Sequence, residues 1–554
     1  MCKNNPTPSI ADSTITPLGQ FSFRFVTSGE VYQDLKKLNP RKSCGPSQIP
    51  AWALRDGAHY LAAPLTDVLN AFLRENKFPK NLKKAIVTPI FKKDDPEEPE
   101  NYRPISITGA LSKIIEKQLQ KQINEYLSHK NIYTNTQFGF RKRTSTVDAL
   151  LYCTESFRKY INSNMFVAVA FLDLSKAFDS INHKILKQKL EKIGFDSGSQ
   201  KLLLDFVENR QQKTIVNDIE SDWLNTYQGV PQGTVLGPLI FNIYTNDLNQ
   251  HTTYDCKTIQ YADDTVIFAA NENQELALKN LENCCNAFAN YFKKNYLTLN
   301  PSKTEIIVFC KKSMDQSINP SVTIDGVEVK QKNTVKYLGV MLDKHLTFQD
   351  EVKNILRKMA RGIKTLNAIK NNFPIATRIT LMNALVFSHL HYSAVLLSGI
   401  SNQLQNTLDK QINWAIKSCY NRLKYDSSRD LKIKHSVLPI RYLINFKIVF
   451  HLWKIEKNIL PAYERIMYPT ANYYYHKRGK KMIFSLRSNS ILLDNCFFKR
   501  ATQIWNSINV NTVSLKNSCD TAKNKLKRHF LNIYEKDVIT TAYGIVSWRD
   551  FRFI

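Results

Sequence analysis

The sequence predicts an α+β fold followed by a mainly helical, basic C-terminal region. Three observations predict it: β-forming runs at 85–91, 103–107, 166–174 and 258–269; apolar residues at helical spacing between and beyond them; and a charge distribution skewed to the end of the chain. With 554 residues and 43% hydrophobic content, the chain is long enough for two to four packed units. The formal net charge of +29, from 77 Lys and Arg against 48 Asp and Glu, sets up a field that attracts polyanions. Nucleic acid is the partner this field suits best.

Along the chain, a Pro, Ser and Thr-rich tail precedes a helix from Val31 and another over 52–74. Strands at 85–91 and near 103–107, joined by an acidic, Pro-rich loop at 94–100, predict a two-stranded flap carrying Lys92, Lys93 and Arg103. Leu111, Ile115, Leu119, Ile123 and Leu127 mark one buried helical face. The strands at 166–174 and 258–269 flank what reads as a long helical insertion, so neighbouring strands of one sheet come from distant segments. Beyond Leu346, Val352, Ile355, Met359, Ile363 and Leu366 form a buried stripe, with Lys353, Arg357, Lys358, Arg361 and Lys364 on the rest of the helix. Residues 401–554 hold 27 Lys and Arg against 10 Asp and Glu, a net +17 of the total +29.

The ten cysteines show no Cys-x-x-Cys spacing, which excludes the usual zinc and redox motifs and fits a reduced, intracellular setting. The first thirty residues have no continuous apolar segment, and the most apolar later stretch, 384–400, is interrupted by His389 and His391. No membrane span is expected.

Two segments carry chemistry. In Ala170-Phe-Leu-Asp-Leu-Ser-Lys-Ala-Phe-Asp179 a carboxylate, Asp173, ends an apolar strand, where an unpaired charge is costly and a bound cation would relieve it. Capping of the next helix is an equally good reading of that segment. In Gln260-Tyr-Ala-Asp-Asp-Thr-Val-Ile-Phe268, Asp263 and Asp264 fall at a hairpin turn and repel each other unless cations intervene. An Asp pair in a turn is commonly just a turn. Together with Asp173 it becomes a three-carboxylate candidate site for Mg²⁺, a hard ion that takes oxygen ligands and retains room for phosphates.

The ordered blocks Leu38-Asn-Pro-Arg-Lys-Ser-Cys-Gly-Pro46, Ile86-Val-Thr-Pro-Ile-Phe-Lys-Lys93, Asn101-Tyr-Arg-Pro-Ile-Ser106, Gln137-Phe-Gly-Phe-Arg141, Phe171-Leu-Asp-Leu-Ser-Lys-Ala-Phe-Asp179, Gly229-Val-Pro-Gln-Gly-Thr-Val-Leu-Gly-Pro238, Tyr261-Ala-Asp-Asp264, Leu299-Asn-Pro-Ser-Lys-Thr-Glu305 and Tyr337-Leu-Gly339 resemble the reverse transcriptases of non-LTR retrotransposons, the jockey and LINE-like groups in particular. The resemblance covers roughly residues 35–345. It implies a right-hand polymerase fold with fingers, palm and thumb. On that plan, residues 1–34 are a mobile N-terminal tail, 35–165 an N-terminal extension and fingers, and 166–345 the palm-containing core. Residues 346–400 are then a thumb-like helical region, and 401–554 a basic nucleic-acid-binding region.

The resemblance further implies an RNA-directed DNA polymerase that extends a DNA primer on an RNA template with deoxynucleoside triphosphates. Asp173, Asp263 and Asp264 would bind two Mg²⁺ ions, with Mn²⁺ as a substitute, and the carbonyl of Leu174 would be an extra ligand. Phe178 would crowd a ribose 2′-hydroxyl, and Gln232 would lie beside the incoming nucleotide and template base. Lys92, Lys93 and Arg103 would contact the triphosphate, and Lys303 would protonate pyrophosphate. Ser47-Gln48 stands where relatives often have Asp-Gly, which puts that loop's contacts in doubt.

Only about 85 residues precede the polymerase blocks, too few for the endonuclease such elements usually carry, and no zinc knuckle or RNase H constellation is visible later. A polymerase without its nuclease is expected, acting within an element ribonucleoprotein in the nucleus or cytoplasm. A group II intron maturase-like enzyme and a nonenzymatic RNA-binding protein derived from such an element are the competing readings. In the C-terminal region, Trp453 and the tyrosines at 473–475 are candidates for stacking on unpaired bases, although core packing is the commoner role for any one of them. Truncation after about residue 345 is expected to weaken nucleic-acid binding and to leave the palm carboxylates in place.

Overall fold

The computed structural model describes residues 20–252, 255–316, 320–423, 425–460, 474–477, 480–483, 496–508 and 514–542. Helix α1 (Ser28–Lys36) opens with a capping box: the Thr27 hydroxyl accepts from Glu30 N, and the Glu30 carboxylate accepts from Thr27 N. Ahead of it, Phe21 N donates to Gly194 O at 2.7 Å, and the Phe21 ring packs on Tyr126 and Phe195. Residues 20–34 are therefore built into the fold, contrary to the expectation of a mobile tail through residue 34. Residues 1–19 lie outside the described residues. The helix read over 52–74 is two, α2 (Ala51–Asp56) and α3 (Ala58–Glu75), separated at Gly57.

Strands β1 (Lys84–Phe91) and β2 (Tyr102–Ile107) pair antiparallel, with Ile90 opposite Arg103. The helix α4 (Ala110–His129) follows, with Ile115, Leu119 and Ile123 buried, and then α5 (Thr146–Asn162). After β3 (Phe166–Leu172) and the two-residue β4 (Leu174–Ser175), the expected helical insertion is only partly helical. Helices α6 (His183–Lys192) and α7 (Ser197–Val207) lead to three short strands, β5 (Arg210–Val216), β6 (Ile219–Glu220) and β7 (Leu224–Thr226). Because β5 pairs parallel with β1 from Lys84 to Val87, the predicted two-stranded flap is part of a five-stranded sheet. The pairing ends just short of Pro89, which has no N–H to donate.

Helix α8 (Gly237–Tyr244) precedes the hairpin of β8 (Cys256–Tyr261) and β9 (Asp264–Asn271), after which come α9 (Gln274–Lys294), β10 (Thr298–Leu299) and β11 (Glu305–Phe309). The central sheet is antiparallel in the order β11-β3-β9-β8. Every residue of β3 is buried, and its alternate faces feed two different cores. Val167, Val169 and Phe171 join Val266, Phe268, Ile307 and Phe309 in one, against Phe157 of α5. Phe166, Ala168, Ala170 and Leu172 join Ile267, Ala269, Ile306 and Val308 in the other, with Ile115 of α4 and Leu281 and Phe288 of α9. Burial on both faces is why β3 reads as a continuous apolar run rather than an alternating one.

Two hairpins, β12 (Ser321–Ile324) with β13 (Val327–Lys330) and β14 (Thr334–Tyr337) with β15 (Val340–Asp343), lead into the predicted helix, α10 (Gln349–Ile369). Helices α11 (Ile375–Met382), α12 (Ser388–Ser393), α13 (Asn402–Cys419), α14 (Arg429–Lys434) and α15 (Ile440–Glu456) follow, then helices Phe497–Ser507 and Cys519–Ala542. The α10 stripe belongs to the first core, along with Leu443, Val449 and Leu452 of α15. Since α10 packs directly on α13, a boundary at residues 400/401 does not separate two cores. Trp453 is fully buried, and its Nε1 donates to Ser514 O at 3.2 Å, so it is a core residue and not a base-stacking surface. Tyr473 lies outside the described residues. No helix among the described residues is long and apolar enough to cross a membrane.

Candidate active site

The β8–β9 hairpin turns on two residues, Ala262 and Asp263, between the paired Tyr261 and Asp264. Ala262 has φ 59°, a left-handed conformation that costs a residue with a Cβ roughly 1–2 kcal/mol. A clamp holds it. The Gln137 side-chain oxygen accepts from Ala262 N at 3.1 Å and from Gly139 N at 2.7 Å. Phe138 N donates to Gln260 O and Gln260 N to Thr136 O, both at 2.8 Å. Gly139 lies so close that a Cβ there would stand 2.2 Å from Ala262 N; glycine is the one residue type that allows this approach. Asn242 Nδ2 then fixes Gly139 O from α8 at 2.8 Å.

Asp173 separates β3 from β4. Leu172 pairs with Thr265, so Asp173 occupies the next position along β3, beside the strand end that carries Asp264. Its carbonyl accepts from Asn300 N at 2.9 Å, and Leu174 pairs with Leu299, which braces this stretch against β10. Desolvation by the surrounding protein, then the charges of Asp263 and Asp173, push the Asp264 carboxyl up to about 6; as the residue as a whole is exposed, the repulsion by the two neighbouring carboxylates is the firmer cause. Asp263 is raised as well, by burial first and Asp173 next. Lys92 and Arg103 pull both aspartates the other way, which brings the β1–β2 hairpin into the electrostatics of the site. Among the described residues, no three His, Cys, Asp or Glu groups converge into a ready-made metal cage. The donor set is nonetheless oxygen-only and self-repelling. That suits a hard divalent ion, which is held by one or two carboxylates and takes its remaining ligands from water and phosphate.

The glycine-containing loop 229–237 packs against the segment that follows Asp173. Gly229 N donates to Ile181 O at 2.8 Å, Val230 N to Phe178 O at 2.9 Å, and Ser106 N to Gln232 O at 2.6 Å. The loop is thereby tied to β2 and to the segment after Asp173. Gln232 Nε2 donates to Asp179 Oδ2 at 3.3 Å. Phe178 stacks on Phe241 with centroids 5.0 Å apart and meets Phe140 edge-on at 6.4 Å, so its orientation is set from two sides. Lys93 pairs with Asp94 at 3.3 Å. Lys303 is exposed in the turn that follows Asn300. Lys92 and Arg103 thus act electrostatically on the acids, Phe178 and Gln232 belong to the neighbouring segments 178–181 and 229–237, and Lys303 N donates to Asn300 O at 3.2 Å in the turn that braces Asp173.

Residues 90–342 match the family described as reverse transcriptase (RNA-dependent DNA polymerase). They form a reverse transcriptase domain. The chain is 30% identical over 436 residues to a probable RNA-directed DNA polymerase from transposon BS of Drosophila melanogaster, covering 76% of this chain and 46% of that protein. It is 29% identical to a probable RNA-directed DNA polymerase from transposon X-element of the same species, covering 59% and 36%. Identity to the RNA-directed DNA polymerase from mobile element jockey of Drosophila melanogaster is 26%, covering 66% and 41%. The alignments span less than half the length of each relative.

Within the reverse transcriptase domain, Gln137, Gly139 and Asn300 support the acids through backbone contacts that residue type alone does not announce. Gln137 and Gly139 fall in one of the family-like sequence blocks, which assigns them no role. The one available signal is a glycine between two aromatic residues, Phe138 and Phe140.

Proposed function

We propose that this chain is a metal-dependent RNA-directed DNA polymerase of non-LTR retrotransposon type, extending a DNA primer on an RNA template. The observation that supports the reading is that Asp173 follows β3 while Asp263 and Asp264 lie at the β8–β9 turn, β3 and β9 being paired strands, and that the charge of Asp173 acts on both. In this reading the β11-β3-β9-β8 sheet is the palm, the β1–β2 hairpin belongs to the fingers, and α10 begins the thumb. The three aspartates would hold two Mg²⁺ or Mn²⁺ ions, with the Leu174 carbonyl as a further ligand. Divalent ions at such a site favour ionisation of the attacking hydroxyl and stabilise charge on the leaving phosphate.

The chain's own groups do the rest. Lys92 and Arg103 supply cationic donors for the triphosphate, with Lys93 reaching it after leaving Asp94. Gln232 lies against the nascent base pair, and the exposed amine of Lys303 delivers a proton to pyrophosphate. The basic C-terminal region holds primer-template and element RNA. Extension of oligo(dT) on poly(rA) that requires Mg²⁺ and stops with a chelator tests the whole reading. RNA binding without extension would instead support the nonenzymatic alternative.

Phe178 is expected to exclude ribonucleotides, its ring being oriented by contacts with Phe241 and Phe140. Phe178→Val should raise the ratio of ribonucleotide to deoxyribonucleotide incorporation efficiency by roughly 10–100-fold. An unchanged ratio would make the ring a packing residue.

A further inference from the structure

Glu116 of α4 is fully buried, a costly place for a carboxylate. Its Oε2 accepts from Val235 N at 2.6 Å and from Leu236 N at 3.2 Å, while Oε1 accepts from Ser112 Oγ at 2.9 Å. One turn further along α4, Gln120 Nε2 donates to Val235 O at 3.0 Å. Both polar groups of the Val235 backbone are therefore pinned by α4. The countercharge is Arg210 of β5, itself buried and donating to Phe206 O at 2.9 Å. Val235 and Leu236 belong to the same short loop as Gln232, between its ties to Phe178 and Ser106 and the first turn of α8.

These contacts divide the loop into two ends with separate anchors. The end at 229–230 is fixed by the backbone of Phe178 and Ile181, next to the catalytic segment. At the other end, residues 235–236 have one carboxylate and one amide. Amides entering a helix have no partner within the helix, and a single carboxylate oxygen can serve two of them at once. A buried carboxylate is costly, and Arg210 acts on Glu116 through its charge rather than through a direct contact, so stability alone is a weak reason for Glu116 to be here.

We propose that Glu116 is a positioning residue for nucleotide selection: by holding Val235 and Leu236 it sets where the loop presents Gln232 to the incoming nucleotide and template base. This rests on the polymerase reading above. Glu116 touches no substrate itself. Its effect should appear in nucleotide binding rather than in primer-template binding, since its partners lie in the loop and not on the basic helical surface. Gln120 acts with it as the lesser anchor.

The test is steady-state extension of oligo(dT) on poly(rA), with turnover expressed per titrated active site. Glu116→Ala should raise the KM for dTTP about tenfold, the scale of losing a hydrogen bond to a charged group, with primer-template Kd within about twofold of wild type. Glu116→Gln should recover KM to within about threefold, because its amide oxygen can still accept from both backbone amides. Gln120→Ala, at a half-buried position where folding is less at risk, should raise KM about threefold with an unchanged melting temperature. A wild-type KM in both alanine variants, or a Gln variant as impaired as Glu116→Ala, would overturn the positioning role. Absence of extension by the wild-type protein would overturn the polymerase reading, and this proposal with it.

Discussion

Asp264→Asn, and equally Asp173→Asn, is expected to reduce primer extension about a thousandfold or more, since charge stabilisation by a bound metal contributes several kcal/mol to such a reaction. The exchange preserves size and removes one negative charge from a cluster in which Asp263, Asp264 and Asp173 already repel one another. The hairpin should therefore remain folded, because the clamp on it runs through Gln137, Gly139 and the β8–β9 ladder and not through either carboxylate. RNA affinity should be unchanged or slightly tighter, as a positively charged protein has one anionic group fewer. Single-turnover extension and equilibrium RNA binding, measured on the same preparations, separate the two effects. Extension by either variant within tenfold of wild type would remove that aspartate from the metal site.

The parts of this fold legible in the sequence are those with a local signature. β3 is visible as an apolar run because both of its faces are buried, and α4 and α10 because each buries a single stripe. The aspartates stand out because acids at a strand end and in a hairpin turn are costly without a reason to be there. β5 is not legible: its residues Arg210-Gln-Gln-Lys-Thr214 carry no alternation, and its pairing comes from the edge of β1, distant in sequence. Gln137 and Glu116 are silent for a related reason. Their partners are backbone amides of Ala262, Val235 and Leu236, groups that every residue but proline possesses. Trp453 goes the way the commoner role of a large aromatic predicts, since an aromatic in a basic region can belong wholly to the core.

Truncation after residue 345 is expected to abolish soluble folding, rather than leave an intact sheet with weakened nucleic-acid binding. Val167, Val169, Phe171, Val266, Phe268, Ile307 and Phe309 share one core with Val352, Ile355 and Met359 of α10 and Leu443, Val449 and Leu452 of α15. Helix α5 covers part of that face and would remain, but each large apolar side chain returned to water costs roughly 1.5–3 kcal/mol. A few such exposures match the whole stability of a typical domain, about 5–15 kcal/mol. Further ties would go with them: Glu155 of α5 accepts from Phe497 N at 2.9 Å, and Asp148 lies 3.3 Å from the buried His451. The basic surface is better tested by leaving the core in place and changing exposed charges. Lys353, Arg357, Arg361 and Lys364 are exposed along α10, opposite its buried stripe. Replacing all four with alanine should leave the melting temperature near wild type and weaken primer-template binding. The slope of log affinity against log salt should become shallower by up to about 0.7–0.9 for each phosphate that the variant no longer neutralises. A soluble 1–345 fragment with a cooperative melt would show that the sheet does not depend on the helices. An unchanged salt slope in the quadruple variant would move the nucleic-acid surface away from α10, to the positive charge beyond residue 400 or on the β1–β2 hairpin.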